Sequence, residues 1–117
     1  MSATDTNKFA PLNAECLAQR KFEYCADSVE FVPSLAAVDA RTFVSGNYQL
    51  RDGARIGRTI LSSFSNDGRI IDHQTLDGTA VLDLKWASGL VAERHLLAQA
   101  NADGSVCVLG MRAQTSR

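Results

Sequence analysis

The stretch that decides the fold runs RIIDHQTLDGTAVLDLKWASGLVAERHLLAQANADG, from Arg69 to Gly104. Turn-forming pairs separate its apolar runs: Asp77-Gly78, Ser88-Gly89 and Asp103-Gly104. Asp-Gly between half-apolar runs is a strong hairpin signal, because the turn needs positive φ angles that glycine adopts freely. The stretch therefore predicts consecutive antiparallel strands joined by tight turns.

The same rhythm extends upstream, where Asp52-Gly53 and Asp67-Gly68 punctuate further apolar runs. The spacings leave no room for crossover helices, so neighbouring strands must be antiparallel. We predict six strands in an up-and-down meander, at residues 42–51, 54–65, 69–76, 79–87, 90–100 and 105–114.

The N-terminal part has a different pattern. Residues 1–10 are polar and predict a flexible tail, and residues 11–117 predict a single domain. Pro11, with apolar residues at helical spacing after it, predicts a helix over residues 11–26. The alternation of Phe22, Tyr24 and Ala26 is instead typical of a strand, so the structure of residues 22–32 stays open at this point.

A short strand is predicted from Val29 to Val32, ended by Pro33. Ser34 is a suitable N-cap for one or two helical turns up to Ala40. The predicted fold class is therefore mainly β (α+β), with an N-terminal helix followed by a meander.

Six strands in one meander must hide one face. The sheet can curl around the helix, close into a small barrel with the strand near Val29, or pair face to face in an oligomer. The last strand, residues 105–114, is too apolar to remain an open edge. We expect a curled sheet or small barrel.

Composition excludes several classes of function. The chain has 117 residues, 45% of them hydrophobic and 21% charged, as in ordinary globular domains. A net charge of -1 with scattered Lys and Arg argues against nucleic acid binding. The polar start and the lack of a long apolar run argue against a signal peptide or membrane anchor and predict a cytoplasmic protein.

The cysteines and glycines predict no metal and no cofactor. Cys16, Cys25 and Cys107 are odd in number and form no CxxC motif, which argues against a disulfide framework or a zinc site. No glycine-rich phosphate-binding loop occurs. Arg51, Arg55 and Arg58 are a candidate anion-binding group, but a solvated hairpin is the favoured explanation of the three arginines.

The position of each turn, together with the alternation of side chains along a strand, predicts which residues are neighbours across adjacent strands. Two-residue loops at Asp77-Gly78 and Ser88-Gly89 place Leu82 between His73 and His95. The resulting face combines apolar and polar side chains, and we predict ligand binding by Phe64, Ser62, His73, Leu82, Trp86, Glu93 and His95. A one-residue slip in register would move every side chain to the other face.

Two further registers follow from the upstream turns. A two-residue loop at 67–68 pairs Ser62 with His73. At the first turn a three-residue loop is preferred, which pairs Tyr48 with Ile56.

Three functions are compatible with these residues. The leading hypothesis is a small-molecule-binding β domain with a partly apolar cup, because pockets are mostly apolar with a few convergent polar groups. The first alternative is a non-catalytic adaptor, a homodimer that buries the face carrying Leu76, Val81, Leu96 and Ala98. The second is a small acid–base enzyme using His95 and Glu93.

Overall fold

Two antiparallel sheets make up the described part of the chain. The computed structural model describes residues 13–33 and 41–112. One sheet has the order β1-β2-β3-β4 and the other β5-β6-β7. The mainly β, meander-like prediction is therefore confirmed. The strands are β1 Cys25–Phe31, β2 Thr42–Arg51, β3 Ala54–Phe64, β4 Ile70–Thr79, β5 Val81–Val91, β6 Arg94–Asn101 and β7 Val106–Arg112.

The predicted curled sheet or small barrel is wrong, because the meander breaks between β4 and β5. Gly78 does not form a hairpin turn but lies inside β4, paired with Gly57. The chain then crosses to the second sheet at Ala80, which is only 1% exposed. Two stacked sheets bury apolar surface between them, so the described residues need no barrel closure.

The predicted N-terminal helix is also wrong where the chain is described. Residues 13–24 contain no helix, and strand β1 begins at Cys25. Pairing of β1 with β2, from Cys25 opposite Tyr48 to Phe31 opposite Phe43, supplies backbone hydrogen bonds that override the helical spacing. The tail at 1–10 and the helical turns at 34–40 lie outside the described residues.

The β2–β3 hairpin has a two-residue loop rather than the predicted three-residue one. Asp52 and Gly53 both have positive φ, 50° and 77°, as the mirror-image turn of a tight hairpin requires. Arg51 therefore pairs with Ala54, and Tyr48 lies opposite Gly57 instead of Ile56.

The β5–β6 hairpin turns at a different place from the predicted Ser88-Gly89. Ala92 and Glu93 adopt positive φ, 50° and 63°, and form the two-residue loop. The ladder pairs Leu90 with His95 next to this turn, and a register shift between Trp86 and Leu90 then pairs Trp86 with Leu97. This register places Trp86 and Leu97 together, and the burial gained there outweighs the local preference for glycine in the turn.

A bulge interrupts the β3–β4 ladder. Leu61 pairs with Gln74 but Ser62 pairs with Asp72, so His73 is the extra residue on β4. The predicted pairing of Ser62 with His73 is therefore off by one residue.

The core lies between the two sheets. Its buried members are Val44, Val81, Leu84 and Leu97, with Leu61, Trp86 and Leu109 packed against them. The sheets approach closely at Gly46, where a Cβ would lie 2.5 Å from a methyl group of Val81. Among the residues that the structure describes, no helix is long and apolar enough to cross a membrane.

Candidate functional site

The residues predicted to line the cup lie in several separate places in the structure. Ser62 and Phe64 lie on the face of the first sheet that points away from the second, since their neighbours in sequence, Leu61 and Ser63, point toward it. Leu82 is 55% exposed. The structure therefore does not bring these side chains onto one surface with the others.

Trp86 and His95 are brought together. Their rings meet edge to face with centroids 6.1 Å apart, and His95 is 7% exposed. Glu93 is exposed in the β5–β6 turn, and no hydrogen bond or ion pair in the described part of the chain joins it to His95. Trp86 and His95 thus form an aromatic contact, and His95 and Glu93 are not assembled as an acid–base pair.

His73 forms a contact that the sequence did not predict. Its Nε2 lies 2.6 Å from Ser63 Oγ. The adjacent Asp72 carboxylate instead accepts hydrogen bonds from Ser62 (3.0 Å) and Arg20 (2.7 Å). A serine nucleophile needs a histidine oriented by a third group, and Asp72 is engaged elsewhere. The β-bulge creates the pair, so no sequence motif could have indicated it.

A groove of about 140 Å³ opens between the sheets beside the core. Its walls are mostly apolar and include Trp86, Leu76 and Met111, with Gln74 and Thr59 as polar members. Trp86 Nε1 is buried and has no hydrogen-bond acceptor among the described residues. Of the predicted ligand-binding residues, Trp86 lines this groove.

A buried hydrogen-bond relay connects the sheets. Thr59 Oγ1 on β3 donates to Gln99 Oε1 on β6 (2.5 Å), and Gln99 Nε2 donates to Asn101 Oδ1 (2.7 Å). Asn101 Nδ2 donates to Ser105 Oγ at 3.0 Å. All three relay side chains on the strands are at most 8% exposed. The relay satisfies polar groups that would be costly to bury unpaired and so fixes how the sheets align.

The relay ends in the β6–β7 turn. Ser105 donates through both its hydroxyl and its backbone N–H to Asp103 Oδ1, at 2.5 and 2.9 Å. These hydrogen bonds hold the pKa of Asp103 below its usual value. The Asp103-Gly104 turn is thereby connected to the sheet–sheet contact.

Within the candidate arginine group, Arg58 contacts other residues of the chain; these contacts are here called the Arg58 clasp. Arg58 donates to Glu23 Oε1 (2.7 Å) and Asp77 Oδ1 (2.9 Å), and its guanidinium lies 4.1 Å from the Tyr24 ring centroid. The hydrogen bonds to Glu23 and Asp77 raise the pKa of Arg58 further above its ordinary value. Arg58 therefore holds the segment before β1 against the first sheet rather than an external anion.

Removing the Arg58 clasp is expected to affect the segment before β1. We expect Arg58→Ala to speed amide hydrogen exchange at Glu23 and Tyr24, since both lose their contact with the sheet. Arg55→Ala, on the same strand, is the matched control and should leave that exchange unchanged. Equal exchange in the two variants would show that Arg58 does not anchor the segment.

A polar cleft lies between β1 and β5, the first strands of the two sheets. Asp27, Glu30, Asp83 and Lys85 line it. Burial raises the pKa of Asp27, and the neighbouring Asp83 adds to the effect. No group of three or more His, Cys, Asp and Glu side chains in the described ranges is arranged to hold a metal.

The second sheet has an apolar outer face, here called the open face. Leu97 and Leu109 point into the core, so the residues alternating with them point outward. Val106 and Val108 are 69% and 64% exposed. The open face consists of Leu96, Ala98, Ala100, Val106 and Val108.

The four residues predicted to form a dimer face do not share one surface. Leu96 and Ala98 belong to the open face, whereas Leu76 lines the groove. Val81 is completely buried between the sheets. The open face replaces the predicted set as the apolar surface of the described residues.

Comparisons with known proteins point to one class of relative. No family model and no solved structure matches the chain. The chain is similar to diphthine methyltransferase of Mus musculus (37% identical over 102 residues) and of Homo sapiens (32% over 109 residues). Each alignment covers 74% of this chain but only 21% and 24% of those proteins. The chain thus spans less than a quarter of the length of the curated relatives it matches.

Proposed function

We propose that this chain is a scaffold unit of a diphthine methyltransferase-like protein, and that its open face binds a further β-meander sheet. The similarity to the mouse and human proteins supports the protein class. The exposed apolar surface on β6 and β7 carries the proposal. This is the adaptor hypothesis, with a sheet as the partner.

The chemistry of the open face suits another sheet. Val106 and Val108 stand side by side with Ala98 and Ala100 across the β6–β7 ladder. Small and β-branched side chains on a pleated surface pack against a second sheet at about 10 Å. Contiguous apolar patches of this kind on soluble proteins commonly mark interaction sites.

The first sheet shows how such a face is covered. Val44 on β2 and Leu61 on β3 are an apolar cross-strand pair, and the second sheet packs on them. Stacked consecutive meanders of this type are the units of β-propellers. Repeated units bury their apolar faces only by stacking, which favours a third sheet as the partner.

A chimera tests the proposal. We expect a mouse diphthine methyltransferase whose matching region is replaced by this chain to keep its methyltransferase activity. Leu96→Glu in the chimera should abolish most of that activity and lower the melting temperature, because a carboxylate would be buried without a partner between sheets. Activity assays and thermal unfolding measure both effects.

The control is Leu50→Glu, which adds the same charge at a leucine that is 62% exposed in the first hairpin. This variant should behave like the unmodified chimera. A fully active, equally stable Leu96→Glu chimera would contradict the role of the open face. An inactive unmodified chimera that is folded would contradict the protein class.

Small-molecule binding is the second candidate, and the groove beside Trp86 supports it. A volume of about 140 Å³ admits only a small apolar fragment, and an acceptor on it would satisfy the Trp86 indole N–H. Native mass spectrometry of the purified chain should then show a retained mass that Trp86→Ala removes. An identical bare mass for both proteins would contradict this candidate.

A further inference from the structure

Aspartate is followed by glycine at four places in the chain. Such a pair can isomerise without an enzyme, because glycine has no side chain to hinder attack of its backbone nitrogen on the aspartate carboxyl. The attack requires a carboxyl that is not held elsewhere, a glycine N–H that is not already donated, and a backbone that can move. The structure separates the four pairs by these requirements: Asp52-Gly53, Asp67-Gly68, Asp77-Gly78 and Asp103-Gly104.

Two of the glycine nitrogens are already hydrogen-bond donors. The Gly68 N–H donates to Ser65 O at 3.1 Å, and the Gly104 N–H donates to Asn101 O at 3.1 Å. Each nitrogen must leave its hydrogen bond before it can reach the neighbouring carboxyl. The β3–β4 and β6–β7 turns therefore protect their Asp-Gly pairs at the nucleophile.

The carboxylates of the same two turns are also held. Asp67 accepts hydrogen bonds from Ser65 Oγ and Arg69 Nε, and Asp103 accepts from the hydroxyl and the backbone N–H of Ser105. The hydrogen bonds from Ser65 and Ser105 hold the pKa of Asp67 and of Asp103 below its usual value. A carboxylate kept ionised is a poor electrophile, because loss of water requires the neutral acid.

The third protected pair lies inside a strand. Gly78 pairs with Gly57 in the β3–β4 ladder, and Asp77 Oδ1 accepts a hydrogen bond from Arg58 Nε at 2.9 Å. The extended backbone of β4 cannot rotate into a five-membered ring unless the sheet opens locally.

Asp52-Gly53 has none of these protections. Both residues are exposed in the two-residue loop between β2 and β3. Neither the Asp52 carboxylate nor the Gly53 N–H has a hydrogen-bond or ion-pair partner among the described residues. The φ angle of Asp52 is 50°, a conformation less favourable for aspartate than for glycine, and the space around Gly53 is open to 4 Å. Exposed loop tips of this kind open most readily.

We propose that Asp52 is the site at which this chain forms isoaspartate by spontaneous isomerisation. The backbone nitrogen of Gly53 bonds to Asp52 Cγ, the bond from Cγ to its hydroxyl oxygen breaks, and one water leaves with the amide proton. Water then adds to the resulting succinimide. Addition at Cγ restores aspartate, whereas addition at the backbone carbonyl carbon breaks the bond from that carbon to nitrogen and leaves isoaspartate. The water lost in the first step is returned in the second, so no other reactant is consumed.

The product changes the β2–β3 loop. In isoaspartate the main chain runs through Cβ and Cγ, which adds one atom to a loop whose geometry is set by two residues. Arg51, next to the loop, lies 3.9 Å from Glu23 and 5.5 Å from the Tyr24 ring centroid. We therefore expect the change to reach the segment before β1. The inference involves neither the open face nor the groove and is independent of the proposed function.

Incubation of the purified chain tests the inference. One sample is kept folded at neutral pH and physiological temperature for several weeks, and a second is kept in urea. Peptide mapping with electron-transfer fragmentation, which distinguishes isoaspartate from aspartate, measures both. In the folded sample we expect about tenfold more isoaspartate at Asp52 than at each other pair, because hydrogen bonds to a charged group must break there first. In urea the four pairs should react at comparable rates.

Two substitutions at the site give opposite results. Asp52→Asn keeps the turn, since Asn-Gly suits the same hairpin geometry. It should accumulate isoaspartate faster than the wild-type chain, because its side chain is neutral and releases ammonia. Asp52→Glu is the matched control. It should show only the low background at the other three pairs, since glutamate would have to close a larger and less favourable ring.

The distribution of isoaspartate in the two samples decides the result. An even distribution in the folded sample, or a maximum at another aspartate, would overturn the inference. Reaction at Asp52 in urea without reaction in the folded chain would also overturn it, because the hairpin would then protect the pair. Absence of isoaspartate from both samples would have the same meaning.

Discussion

A Gly57→Ala variant is expected to lose much of its folding free energy, although it adds a single methyl group. The new Cβ would lie 2.3 Å from Thr79 O, 2.6 Å from Ala80 Cα and 2.6 Å from Asn47 O. All three are backbone atoms, on β2, at the end of β4 and at the link between the sheets, so no side-chain rotation relieves the overlap. Overpacking usually costs about 1–3 kcal/mol, and we expect the upper end here, measured by urea unfolding.

Gly78→Ala is the matched control for this substitution. Gly78 pairs with Gly57 across the β3–β4 ladder, but a Cβ there has no neighbour within 4 Å. Because glycine weakens a strand interior, the control should be unchanged or more stable by about 0.5 kcal/mol. Similar unfolding midpoints for the two variants would contradict the close crossing at Ala80.

The crossing at Ala80 explains why the two-sheet arrangement was not predictable from local sequence. Asp77-Gly78 has the composition of a hairpin turn, and nothing in the neighbouring residues distinguishes it from Asp52-Gly53, where the turn does form. The difference is set by the contact of Ala80 with Gly57, a residue on another strand. Long-range packing of this kind overrides turn propensity.

The strands themselves were largely predictable, because alternation of apolar and polar residues is a local property. The range 42–51 was predicted as strand and coincides with β2. Its partner register failed by one residue, since loop lengths of two and three residues are both compatible with Asp-Gly. A one-residue slip in register changes the local backbone energy little, but it changes every cross-strand neighbour.

The candidate site depended on those registers and was therefore less predictable. Trp86, which the sequence analysis placed on a partly apolar surface, lines the groove. The contact of His73 with Ser63 depends on a bulge that leaves no mark in composition. The relay from Thr59 to Gln99 joins two sheets that the sequence did not separate.

Leu84→Ala is expected to cost about 3 kcal/mol of folding free energy, because burial of Leu84 depends on the sheet–sheet contact. Leu84 is 4% exposed and packs with Val44 and Leu97 between the sheets. The free energy of unfolding in urea, followed by Trp86 fluorescence, measures the loss. The large effect is expected from cavity formation, since backbone-constrained sheets cannot collapse onto the space left behind.

A comparison of Leu84→Ala with Leu82→Ala tests the fold as well as the packing. In a regular strand Leu82 and Leu84 would share one face and would be buried together. In the structure a register shift between Val81 and Asp83 leaves Leu82 55% exposed. Its loss should therefore cost only about 0.5 kcal/mol. Equal losses of folding free energy for the two variants would favour a regular strand in which Leu82 and Leu84 share one buried face. A large difference is expected only if the register shift at the start of β5 turns Leu82 outward while Leu84 packs against the first sheet.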